Sequence, residues 1–95
     1  MKKVAVLGAG SWGTALAKVL ADNRYDVRMW THNTEIANNI NQLRENKKYL
    51  PGKTLPANIS CSTHLEEVLK EVSLVLIVVP SHAMHEVIQK AAPHI

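Results

Sequence analysis

The run Gly8-Ala9-Gly10-Ser11-Trp12-Gly13 has the spacing G-x-G-x-x-G. Its chemistry is that of a diphosphate cradle when it follows a strand and opens a helix. Gly8 lets the chain turn sharply, Gly10 presents backbone with no side chain to a pyrophosphate, and Gly13 lets the helix pack closely on the strand. The first helical turn then points free N–H groups and the positive end of its dipole at the phosphates. The N–H groups of Ser11 and Trp12 are the expected donors, and the Ser11 hydroxyl is a further one. The Trp12 ring has two readings, packing against the loop after the fourth strand or touching the ligand directly.

A second group of residues lies about 20 positions on, in Met29-Trp30-Thr31-His32-Asn33. Domains that select NAD place an acid here to bind the ribose 2′-hydroxyl. This chain has none, and Glu35 comes two residues late. A carboxylate would repel a 2′-phosphate, whereas His32 and Asn33 can donate hydrogen bonds to one. The expectation is that NADP(H) is accepted alongside or ahead of NAD(H). The preference is modest, because no arginine stands here to grip a phosphate. A third group, Val78-Val79-Pro80-Ser81, leaves the fourth strand beside the first, where open α/β sheets bind ligands. Pro80 is the expected cofactor contact and Ser81 the expected cap of the next helix.

The elements that must position these groups follow from periodicity. Lys3-Val4-Ala5-Val6-Leu7 reads as a buried strand. Ser11 to Asn23 reads as a helix with Ala15, Leu16, Val19 and Leu20 inward, and Asp26 to Trp30 as a second strand. Asn33-Thr34 caps a helix expected from Glu35 to Arg44. Two prolines and a glycine break regular structure between Glu45 and Asn58. Ile59 to Ser62 reads as a weak strand, and Thr63 as the cap of a helix from Leu65 to Glu71. Ser73 to Val79 is the strongest strand of the chain and apolar on both faces, as a central parallel strand covered by helices is. A last helix runs from His82 to Ala92, with Met84, Val87, Ile88 and Ala91 inward. The alternation predicts an α/β fold, a Rossmann-like doubly wound parallel sheet of about four strands in the order 3-2-1-4.

Composition sets the outer bounds. The 95 residues, 46% of them hydrophobic and 20% charged, fit one ordered domain, 1–95. The net charge of +3 comes from scattered basic residues, not a basic stripe with interleaved aromatics, so nucleic acid is not an expected partner. No apolar run approaches a membrane span, and the N-terminus lacks the pattern of an export signal. The lone cysteine, Cys61, rules out an internal disulfide framework and suits a reducing, cytoplasmic setting. Cys61 is expected buried and inert. His82 and His85 lack a third ligand, so no metal site is expected. Glu66, Glu67 and Glu71 read as a solvated helix face, not a catalytic pair. The edges of so short a sheet make a homodimer one expected assembly.

Three segments resemble the N-terminal part of NAD(P)-dependent glycerol-3-phosphate dehydrogenases of the bacterial type. They are Val6-Leu7-Gly8-Ala9-Gly10-Ser11-Trp12-Gly13-Thr14-Ala15 followed by Met29-Trp30, then Asn46-Lys47-Lys48-Tyr49-Leu50-Pro51-Gly52, and Val78-Val79-Pro80-Ser81. The second segment is the most specific. The resemblance spans essentially the whole chain. It implies reversible hydride transfer between NAD(P)H and dihydroxyacetone phosphate, giving sn-glycerol 3-phosphate for phospholipid synthesis. It also implies cofactor contacts from Ser11, Trp12 and His32, with Tyr49 in a loop packed nearby. In the family the substrate-handling lysines lie past the Rossmann core. On this reading the chain is the N-terminal portion of a larger enzyme, inactive alone, and no residue in it is assigned a catalytic role. His85 stands where bacterial relatives often carry an arginine. Two other readings are a dinucleotide-sensing module without catalysis and the cofactor domain of another hydroxyacid or ketopantoate-type dehydrogenase.

Overall fold

The structure, a computed structural model, describes residues 2–95. Strand β1 (Lys3–Leu7) leads into helix α1 (Ser11–Asp22), β2 (Asp26–Trp30) and a short α2 (Thr34–Asn38) that continues as a π-helical turn (Asn39–Leu43). After a long loop come β3 (Ile59–Ser62), α3 (Leu65–Leu69), β4 (Leu74–Ile77), α4 (Ser81–Ala91) and a closing 3-10 turn (Ala92–His94). All strand pairs are parallel and the order is β3-β2-β1-β4, as the alternation predicts.

Because side chains alternate along a strand, β1 feeds two cores. Val6 joins Val27, Met29, Ile36, Ile40 and Ile59 on one face, and Ala5 and Leu7 join Trp30, Val68, Leu69 and Val87 on the other. Trp30 also anchors its indole by donating from Nε1 to the Thr63 carbonyl at 3.0 Å.

Five expectations change. Helix α1 buries Gly13, Thr14, Ala17 and Ala21, not the Ala15-Leu16-Val19 side, and Val19 is 57% exposed. Small residues win that face because they let the helix backbone come down onto the sheet. Second, the regular α-helix after Asn33 ends at Asn38, and the π-turn closes on Arg44 in the left-handed region, φ 56°. Third, Thr63 does not cap α3; the flanking residue is His64, and α3 stops at Leu69, so Glu71 lies beyond it at φ 59°. Fourth, β4 is shorter than expected, Leu74–Ile77, and among the described residues Leu74 is 51% exposed and the rest of the strand only partly covered. Fifth, Ser81 is the first residue of α4 and makes no side-chain cap; Val87 and Ala91 are buried, while Ile88 faces out at 45% exposure.

Among the described residues no helix is long and apolar enough to cross a membrane. Cys61 is buried, and burial pushes its thiol pKa up to about 12.

Candidate functional site

The carboxyl ends of the strands meet where β1 leaves the sheet. There Gly8 N donates to the Trp30 carbonyl and Val78 N to the Leu7 carbonyl, both at 2.9 Å. Gly8 adopts φ 128°, and a Cβ on it would sit 2.1 Å from the Val78 carbonyl oxygen. The exit of β4 therefore crosses directly over the turn, a closeness only glycine permits. A Cβ on Gly13 would fall 2.1 Å from the Gly8 carbonyl oxygen, so this glycine sets how tightly α1 presses on the turn. Gly10 differs: nothing lies within 4 Å of a Cβ there, and its backbone is unstrained. The fold does not need a glycine at position 10. The space in front of it is open, and Gly10 lines a hollow at the strand ends.

Gly10 is also the N-cap of α1 and makes no side-chain cap bond. The first N–H groups of a helix have no intrahelical acceptor, so those of Ser11 and Trp12 point outward with the positive end of a twelve-residue helix behind them. The Ser11 hydroxyl, expected as a further donor, instead gives its proton to the Tyr49 carbonyl at 3.0 Å. Its main-chain N–H is the donor that remains.

That contact belongs to a staple the sequence reading passed over. Asn46 is completely buried, and its Nδ2 donates to the Ala9 carbonyl at 2.8 Å and to Thr14 Oγ1 at 2.9 Å. Its Oδ1 accepts from Tyr49 N at 3.2 Å and its carbonyl from Leu50 N at 2.9 Å. The break expected over Glu45–Asn58 is thus a pinned turn lying against the glycine loop. Arg44 ties the far end, donating from NH2 to the Ile59 carbonyl at 2.9 Å and to the Pro56 carbonyl. Asparagine four residues before a Pro-Gly-bounded tract's Leu50 is an ordinary turn former; only its burial marks it as the anchor.

One hollow of about 280 Å³ gathers Gly8, Gly10, His32, Asn33, Tyr49 and Pro80 along its walls, with Ala9, Trp30, Thr31, Lys48 and Val79 between them. These residues come from four separate stretches of chain. His32 is exposed; Asn33 uses its Oδ1 to accept from Ile36 N, capping α2 as expected. Gly13 lies beneath the turn. Trp12 stands apart from this hollow and is 82% exposed. It borders a separate apolar hollow with Ala15, Leu16, Val19 and Val78.

Among the described residues Glu86 on α4 is the carboxyl with a shifted pKa. It is held below its ordinary range chiefly by the Lys90 hydrogen bond and charge, with the His32 charge contributing last. Among the described residues no group of three His, Cys, Asp or Glu is placed to hold a metal ion.

The model of a protein family, the NAD-dependent glycerol-3-phosphate dehydrogenase N-terminus, matches residues 3–95. A glycerol-3-phosphate dehydrogenase [NAD(P)+] of Bacillus velezensis is 53% identical over the whole chain, which spans 28% of that relative. Two solved structures superimpose on it. Glycerol-3-phosphate dehydrogenase from Coxiella burnetii matches at TM-score 0.93 and 41% identity, over 99% of this chain and 29% of that one. The yeast enzyme matches at 0.90 and 31%, over 99% and 30%.

Proposed function

The chain belongs to the NAD-dependent glycerol-3-phosphate dehydrogenase N-terminal family, and from that premise we propose that the hollow at the strand ends is where NADP(H) or NAD(H) lies. The pyrophosphate sits before Gly10, on the N–H groups of Ser11 and Trp12. The adenosine ribose lies toward His32 and Asn33, and Tyr49 and Pro80 wall the hollow. The observation that carries this reading is the contrast among the glycines. Two are demanded by the fold's own backbone, whereas the space before Gly10 is left empty by the chain itself. A diphosphate bridge fills such a space and satisfies N–H groups that no protein group caps.

In a polypeptide of the relatives' length, the bound nicotinamide supplies or takes the hydride exchanged with dihydroxyacetone phosphate, and the product, sn-glycerol 3-phosphate, serves phospholipid synthesis. This chain's own share is to bind and orient. On this reading residues 1–95 are the dinucleotide-binding portion of a longer enzyme, its setting is the cytoplasm, and a homodimer is one assembly open to it. Titration of the chain with NADH and NADPH, followed by quenching of tryptophan fluorescence, tests the reading. Saturable binding of at least one dinucleotide is expected, with competition by ADP-ribose. No binding of either at millimolar concentration would overturn it.

A further inference from the structure

The end of the hollow assigned to the adenosine ribose contains a cation that the local sequence after β2 does not supply. Lys48 lies sixteen residues beyond His32, yet it lines the same hollow as Thr31, His32 and Asn33. It also borders the adjoining hollow with Asn33, Glu35, Ile36, Asn39 and Lys47. The turn that delivers it is fixed on both sides. Asn46 is buried against the glycine loop, and Tyr49 is held through its N–H to Asn46 and its carbonyl to Ser11. The ammonium rests 5.3 Å from the centre of the Tyr49 ring, and no carboxylate among the described residues pairs with it.

The neighbouring polar groups narrow what this end can recognise. Thr31 Oγ1 accepts from Asn33 N, and Asn33 Oδ1 accepts from Ile36 N, so these acceptors are committed to the chain itself. The other polar side chains that line the hollow are His32, Lys48 and Tyr49, and only Lys48 among them is a lysine or arginine. An unmodified ribose offers a 2′-hydroxyl that is best held by an acceptor, while a 2′-phosphate is held by donors and cations. Glu35, across the adjoining hollow, and Glu86 on α4 are the carboxylates that oppose an anion here.

We propose that Lys48 is the residue that recognises the adenosine 2′-phosphate, and so gives this domain its NADP(H) selectivity from the loop instead of from the end of β2. This rests on the dinucleotide reading above. Lys48 is exposed and makes no hydrogen bond that holds the fold, so Lys48→Gln leaves the domain folded. The 95-residue parent, Lys48→Gln and Lys47→Gln are titrated with NADPH and NADH at two salt concentrations. Lys48→Gln is expected to weaken NADPH about three- to fivefold, the upper part of the range for one solvated charge contact. NADH changes less than twofold, and the NADPH salt dependence becomes shallower. Lys47→Gln leaves both within about twofold, as a lysine on the adjoining hollow alone should.

Equal loss of NADPH and NADH in Lys48→Gln, or no loss of either, overturns the assignment. A parent that binds NADH but not NADPH also overturns it and leaves the dinucleotide site standing. A parent that binds neither removes both.

Discussion

Gly10→Ala separates a glycine kept for the fold from one kept for a ligand. At φ −77° and ψ −169° an alanine is sterically ordinary, and no atom lies within 4 Å of its added methyl. Two small effects act on stability. Replacing glycine reduces the freedom of the unfolded chain, worth about 0.4–1 kcal/mol in favour of folding. Alanine is the poorer N-cap, at a cost of similar size. The net change is expected within about 1 kcal/mol, or a shift in Tm of no more than roughly 8 °C for a domain of this length. Binding is another matter. The methyl occupies the position from which a phosphate oxygen reaches the Ser11 and Trp12 N–H groups. A hydrogen bond to a charged partner contributes roughly 1.5–3 kcal/mol, so losing two costs at least about 3 kcal/mol, or more than a hundredfold in Kd. Calorimetric titration with NADH and NADPH, beside a thermal melt of the same preparation, reads both quantities. A variant that melts like the parent and binds within threefold of it would refute the reasoning, because the diphosphate could not then lie against this backbone.

The other glycines should behave oppositely. Gly8→Ala places a Cβ 2.1 Å from the Val78 carbonyl oxygen at φ 128°, and should destabilise by about 3 kcal/mol or more in urea unfolding. Asn46→Ala leaves the Ala9 carbonyl and Tyr49 N–H without their partners. A loss of about 2–4 kcal/mol is expected, with weaker dinucleotide binding as the glycine loop loosens; equal stability and affinity would show that the staple is idle. Cys61 should resist a thiol reagent in the folded chain and react once the chain is unfolded. Its folded pKa, about 12, lies above its ordinary value of 9.0. Its contribution to stability is therefore complete below pH 9 and is lost as pH rises from there toward 12, so the urea midpoint should fall over that window more in the parent than in Cys61→Ala. Trp12 is 82% exposed and Trp30 only 8%; Trp12→Phe should leave a blue-shifted emission, whereas burial of both indoles would leave its maximum unchanged.

The sequence disclosed the glycine loop because its residue types have backbone consequences that any strand-to-helix turn must obey. It was less informative wherever a side chain's fate depended on which of two faces met the sheet. On α1 both stripes are plausible by periodicity. Leu16 and Val19 are the more hydrophobic choice, yet Gly13, Thr14, Ala17 and Ala21 take the inner face, because distance of approach outweighs side-chain size when a helix crowns a tight turn. β4 reads as a strand from Ser73 to Val79 by its apolar run, but its ladder to β1 covers only Leu74 to Ile77, because Val78 and Val79 already belong to the chain crossing over the glycine turn. Thr63 and Ser81 have the right chemistry for caps, but the chain enters those helices one residue away from where their side chains would serve.

Strand order, parallel pairing and the tight turn at Gly8 and Gly13 were thus settled by residue order alone, since they follow from alternation and from backbone freedom at single positions. Packing decided the rest. The buried Asn46 clamp, the engagement of the Ser11 hydroxyl with Tyr49, and the arrival of Lys48 at the hollow that His32 lines bring together residues 16 to 38 positions apart. Contacts over such separations exist only after the sheet has fixed where each loop returns.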